Sequence, residues 1–164
     1  MISMMHSLTV HLHKQKVEVA MQFIKNINAD IALKTYDCKI DENTIKDIDM
    51  NVDYVVDAID DIPAKITLVK YAQENSIPIV SCMGTALRKD PSLLKFDDIY
   101  NTSVCPLCKE FRKQARTAGI ENLEVLYSTE PALKSQNNKL GSSSYLPPIA
   151  GFLLAYKVIE KLAI

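Results

Sequence analysis

Val52-Asp53-Tyr54-Val55-Val56-Asp57-Ala58-Ile59-Asp60-Asp61 decides how the rest of the chain is read. An apolar strand core, Tyr54-Val55-Val56, runs directly into acidic residues. In an open parallel sheet, ligands sit beyond the carboxyl ends of the strands. Asp57 and Asp60 are therefore candidates for metal or polar-ligand contact. Aspartate also favours helix N-caps and the positive end of the helix dipole. The same two residues would serve equally to cap a helix starting near Ile62, and spacing alone leaves both readings open.

Downstream, residues 63–75 predict a helix, with Pro63 in the first turn where a missing N–H costs little. Residues 77–82 predict a short buried strand. Upstream, Val17, Ala20, Phe23, Ile24 and Ile27 recur at helical intervals over residues 16–27. Residues 31–36 alternate Ile31, Leu33 and Thr35 against Ala32, Lys34 and Tyr36, the period of a strand. Residues 41–47 predict a short helix. Alternating helices and strands predict βαβ units, hence an α/β, Rossmann-like fold with a mostly parallel sheet flanked by helices.

The pattern changes after Gly84. Asp90-Pro91-Ser92 is a turn signal, and residues 94–99 predict a strand. Residues 106–118 read as a basic helix ending at Gly119, with Lys109, Arg112, Lys113 and Arg116 on its surface. Residues 123–127 predict a strand and residues 128–144 a polar loop. An apolar helix over residues 149–163 follows Pro147-Pro148.

With 164 residues the chain is long enough for one domain with a real core. Its 48% apolar and 24% charged residues are ordinary for a globular protein. A net charge of -1 neither advertises nucleic acid nor excludes a local basic patch. No apolar run reaches the ~18 residues of a membrane span. Residues 1–12 lack the cationic and long apolar segments of a secretory signal. These features predict a cytoplasmic protein with no membrane contact, whose four cysteines are reduced thiols. The four glycines, Gly84, Gly119, Gly141 and Gly151, are too scattered for a G-x-G-x-x-G turn or a P-loop.

Cys105-Pro106-Leu107-Cys108 has zinc-ligand spacing. A four-ligand site needs a second such pair, and the sequence has none. The pair reads as a coincidence at a helix start, a place that lowers thiol pKa values. Cys82 reads as a small buried apolar residue. His6, His11 and His13 read as exposed side chains rather than metal ligands.

Taken in order, several segments resemble the ubiquitin-activating-enzyme-like superfamily of adenylating enzymes (the ThiF, MoeB and HesA type). They are V-D-Y-V-V-D-A-I-D, I-P-I-V-S-C-M-G-T, K-D-P-S, D-I-Y-N-T-S-V-C-P-L, L-E-V-L-Y-S-T-E-P and L-G-S-S-S-Y-L-P-P-I-A-G. Tyr127 to Pro131 and Asp98 to Pro106 point to the branch that dehydrates threonylcarbamoyladenosine in tRNA. The resemblance spans most of residues 16–164. It implies a single domain holding the later two-thirds of such a fold. Residues 1–84 would belong to the nucleotide-binding half and 85–164 to the substrate and dimer half. The family's first strand, glycine-rich loop and helix have no counterpart here, so activity is expected to be impaired.

The resemblance further implies ATP and magnesium as cofactors. Lys16 would be the ATP-contacting lysine and Asp60 the magnesium ligand, with Asp57 supporting the site. His13 stands where the family pattern has a glycine. The implied reaction is ATP-dependent adenylation of a carboxylate, on the modified adenosine of tRNA. Implied partners are tRNA and a second copy in a homodimer. Two alternatives stay open: an activator of a ubiquitin-like or sulfur-relay carrier protein, and an inactive dimerisation module.

Overall fold

The computed structural model describes residues 16–133 and 141–163, which fall in two compact units, Met1–Lys39 and Ile40–Ile164. In the first unit, α1 covers Lys16–Ile27, as its apolar periodicity predicts. Lys25 Nζ closes the helix end by donating to the carbonyls of Ala29, at 2.8 Å, and Ile31, at 2.6 Å. Residues 31–36 form no strand, contrary to their alternation. A period of two is necessary for a strand but not sufficient. The ladder also needs a neighbour to receive its hydrogen bonds, and these residues enter none.

The second unit carries a four-stranded sheet: β1 (Val55–Asp57), β2 (Ile79–Cys82), β3 (Leu94–Asp98) and β4 (Glu124–Ser128), in the order β1-β2-β4-β3. The β1–β2 and β2–β4 pairs are parallel, and β3 runs antiparallel to β4 at one edge. The sheet joins strands from both sides of Gly84. Three helices flank it: α2 (Ile62–Glu74), α3 (Pro106–Thr117) and α4 (Leu146–Leu162). A 3-10 turn at Thr44–Asp47 replaces the short helix expected there.

Helices cover both faces of β2 and β4, as parallel strands require, while at β1 Val56 stays exposed. Val125 and Tyr127 of β4 pack with Val69 of α2 and with Phe111 and Ala115 of α3. Val80 and Leu126 face the other way and pack against Ala150 and Leu154 of α4. A third cluster gathers Val55 and Leu68 with Ile45 beside β1.

Asp61 caps α2, its carboxylate accepting from the Ala64 amide at 3.3 Å, with Pro63 in the first turn. Neither Asp57 nor Asp60 does so. Helix α4 begins three residues earlier than the sequence predicts, because Pro147 and Pro148 fit a first turn whose N–H groups need no partners. Its outer face leaves Phe152, Tyr156 and Ile159 exposed at helical spacing, Phe152 by 74%. Gly119 ends α3 at φ +77°, a left-handed turn that glycine takes without strain. Among the described residues no helix is long and apolar enough to cross a membrane.

Candidate functional site

The carboxyl ends of β1, β2 and β4 point the same way, and the loops beyond them gather the molecule's buried charge. Register places Asp57 beside Ser81. Asp57 Oδ2 accepts from Ser81 Oγ at 2.6 Å and from Lys65 Nζ at 2.7 Å. Its Oδ1 accepts from the Ile59 amide at 3.0 Å. Lys65 also donates to the Cys82 carbonyl at 2.9 Å. Asp57, Lys65 and Ser81 are all wholly buried.

A buried charge is tolerable only when paired and hydrogen-bonded, and this cluster meets that condition from three elements. It ties β1, β2 and α2 into one piece. Asp57 is thereby occupied by protein partners and leaves no oxygen free for a metal. Beside it, burial pushes the Cys82 thiol above its ordinary pKa, opposed by the charge of Lys65.

Asp60 is different. It lies three residues past the end of β1, is exposed, and has neither hydrogen bond nor ion pair among the described residues. It is a free carboxylate at the functional end of a parallel sheet. Lys16 belongs to the other unit, where it opens α1 and is exposed. His6, His11, His13 and the stretch leading to Lys16 lie outside the described residues, as does the middle of the polar loop, residues 134–140.

The loop after β2 carries a second buried charge that sequence reasoning missed. Arg88 is 4% exposed. Its Nη1 donates to the carbonyls of Gly84, at 3.1 Å, and Ala86, at 3.0 Å. Its Nε donates to the Glu130 carbonyl at 3.2 Å, and Nη2 has no partner among the described residues. The Glu130 carboxylate accepts from the amides of Lys89 and Asp90, both at 2.9 Å. The loops after β2 and β4 are thus bound together. Lys65 had a readable signal, since residues 65, 68, 69 and 72 share the apolar side of α2. Arg88 follows a turn and had none.

The basic surface expected on α3 is narrower than its sequence suggests. Arg112 is half-buried and donates to the carbonyl of Thr102 at 3.1 Å and to its hydroxyl. Arg116 lies over the Tyr100 ring at 5.2 Å, and Lys113 pairs with Glu110 at 3.1 Å. Of these four cations only Lys109 has a side chain with neither hydrogen bond, ion pair nor ring contact among the described residues. Cys105 and Cys108 are buried at the start of α3. Among the described residues no group of three metal-ligating side chains forms.

A ThiF family profile matches residues 7–163. The tRNA threonylcarbamoyladenosine dehydratase of Bacillus subtilis (strain 168) is 29% identical, over 96% of this chain and 70% of its own length. The enzyme of that name from Haemophilus influenzae is 26% identical, over 91% of this chain and 66% of its own. Among solved structures, the E. coli tRNA N6-threonylcarbamoyladenosine dehydratase in complex with AMP superposes with a TM-score of 0.86 at 24% identity, covering 95% of this chain and 67% of that one. Its complex with ATP gives 0.84 at 23% identity, covering 95% and 67%. At that identity the superposition speaks for the fold. The chain spans about two thirds of the length of these relatives.

Proposed function

This chain belongs to the ThiF family, and we propose that it serves ATP-dependent adenylation of a carboxylate, with the threonylcarbamoyl group of a modified tRNA adenosine as substrate. The observation that carries the reading is Asp60, a free carboxylate beyond the end of a parallel strand, in a chain whose curated relatives are tRNA threonylcarbamoyladenosine dehydratases. The solved relative binds AMP and ATP, which supports ATP as the nucleotide.

The residues present fit a magnesium nucleotide in part. Asp60 offers the unshared oxygen ligand that magnesium favours. Asp57 does not fit as a ligand, because Lys65, Ser81 and the Ile59 amide occupy it. Lys16 offers a cation suited to phosphate. When bound, ATP with magnesium supplies the electrophilic phosphorus that activates the carboxylate. The Asp57–Lys65–Ser81 cluster acts by position: it fixes the end of β1, from which Asp60 projects. Rigid placement of this kind is what aligning two reactants requires.

A homodimer is part of the proposal, supported by the exposed Phe152, Tyr156 and Ile159 stripe on α4. Contact with tRNA through α3 would rest on Lys109 more than on Arg112 or Arg116. The protein is placed in the cytoplasm with its substrate.

The test is pyrophosphate release from ATP in the presence of tRNA carrying threonylcarbamoyladenosine. Release is expected, reduced roughly 100-fold in Asp60→Asn, the scale of losing one charge-stabilising group. Equal release without the modified tRNA, or an unaffected Asp60→Asn variant, would overturn the assignment.

A further inference from the structure

Cys105 is the N-cap of α3 and Cys108 sits three residues on, in its first turn. Residues three apart at a helix start are neighbours, and the Cys108 thiol is close enough to hydrogen-bond the Cys105 sulfur. Cys105 is only 4% exposed, yet exposed residues flank it: Val104, at 52%, and Pro106. Val104 holds φ +51°, a left-handed conformation unfavourable for a β-branched side chain. A strained, exposed residue thus immediately precedes the first cysteine.

The second observation is Arg88. Its guanidinium is buried, bonds only to backbone carbonyls, and has no carboxylate within ion-pair distance among the described residues. Nη2 remains without an acceptor. A buried cation without a counter-charge is costly. The loop that carries Arg88 lies against the first turn of α3. A Cβ at Gly84 would stand 3.5 Å from Leu107 Cδ2, and Met83 packs in the same cluster as Cys105 and Cys108.

We propose that Cys105 is the counter-charge of Arg88, a thiolate at the helix start, and that with Cys108 it forms a dithiol oxidised to an intramolecular disulfide by low-molecular-weight disulfides. The electrostatics of the pair agree. A hydrogen bond from the Cys108 thiol, then the first-turn amides and the charge of Arg88, bring Cys105 down to about 6 against the opposing effect of burial. Cys108 is pushed upward, first by that same hydrogen bond and then by burial. Besides Arg88, the groups acting on the pair are Thr102 from the preceding turn and Arg112 from α3 itself.

The exchange balances as follows. The Cys105 thiolate attacks one sulfur of the small disulfide, forming a mixed disulfide and expelling one thiolate. Cys108 gives its proton to that departing thiolate. Its own sulfur then attacks Cys105 Sγ, closing the Cys105–Cys108 bond and expelling the second small thiolate, which takes a proton from water. Two protein thiols are oxidised and one small disulfide is reduced to two thiols.

The experiment treats the full chain with oxidised glutathione at pH 7, alkylates the remaining thiols, and maps the peptides by mass spectrometry. The expected product is a Cys105–Cys108 disulfide, and in Cys108→Ser a glutathione adduct trapped on Cys105. The exposed Cys38 is the internal reference. Arg88→Gln is expected to slow iodoacetamide alkylation of Cys105 at pH 6.5 about threefold, the fall in thiolate fraction when a pKa of about 6 rises by about one unit, with the gap closing above pH 9. Should that variant not fold, the wild-type alkylation profile still decides, with its midpoint for Cys105 expected at about 6. Modification of Cys38 while Cys105 and Cys108 stay reduced would overturn the proposal. So would a Cys105 midpoint at or above the ordinary thiol value of ~8.5.

Discussion

The end of β1 and the loop just beyond it carry aspartates three residues apart that have opposite fates. Asp57 is sealed inside the protein, with Lys65, Ser81 and a backbone amide as partners. Asp60 is exposed, with neither hydrogen bond nor ion pair among the described residues. A carboxylate whose two oxygens are both engaged by its own fold is a structural element, however well placed it looks in sequence. One that the fold leaves free at the same strand end can serve a ligand. The contrast extends to the buried cations. Lys65 donates to a carboxylate and to the Cys82 carbonyl, whereas Arg88 keeps a donor without an acceptor among the described residues. Charge accounting that closes marks architecture, and accounting that stays open marks chemistry.

The hardest blow to this contrast would come at Lys65. Lys65→Ala strands Asp57 as an unpaired buried charge and should destabilise the fold by ~3–5 kcal/mol. Urea unfolding measures it, and a loss under ~1 kcal/mol would mean that Asp57 is not sealed. The Cys105–Cys108 pair sharpens the contrast through pH. Cys105 has its folded pKa held below the unfolded value, so the unfolded chain binds more protons between about 6 and the ordinary thiol value of ~8.5. Stability from Cys105 should therefore rise across that window, and be lost as pH falls through about 6. Cys108, shifted upward, acts in the opposite sense: its contribution is present below ~8.5 and falls as pH rises beyond it. Unfolding free energies of the wild type and Cys105→Ser, taken from pH 5.5 to 10, should differ most near ~8.5, where the rise from Cys105 is complete and the fall from Cys108 begins. Curves that run parallel would remove Cys105 as a thiolate.

A smaller effect is expected at Asp61, the N-cap of α2. Asp61→Ala should cost about 1 kcal/mol, read as a lower unfolding midpoint with an unchanged denaturant slope. Asp60→Asn, one residue away, should change stability by less than ~0.5 kcal/mol. A loss at Asp60 equal to that at Asp61 would erase the distinction between them.

The sequence was legible where a local rule had no competitor. Periodicity located α1, Pro63 and Gly119 helped to mark α2 and α3, and alternating elements predicted a mostly parallel sheet. It misled at residues 31–36, where a strand-like alternation has no ladder to join. It could not tell the aspartates apart. Asp57, Asp60 and Asp61 differ in what they meet across the fold, and Ser81 lies 24 residues from Asp57. Arg112 looks like a surface cation in one dimension but turns inward to Thr102, and Arg116, though exposed, lies over the Tyr100 ring. The orientation of β3 was likewise invisible, since a strand's own residues do not state which way its neighbour runs. The family resemblance rested on segments spread along the chain, and the profile match over residues 7–163 bears it out.

Calorimetric titration of ATP with magnesium into the purified chain, beside Asp60→Asn, tests the central claim most directly. The account predicts measurable binding in the wild type and at least ~10-fold weaker binding in the variant, with unfolding curves that coincide. Binding of equal strength in both proteins, or no binding by a folded wild type, would contradict it.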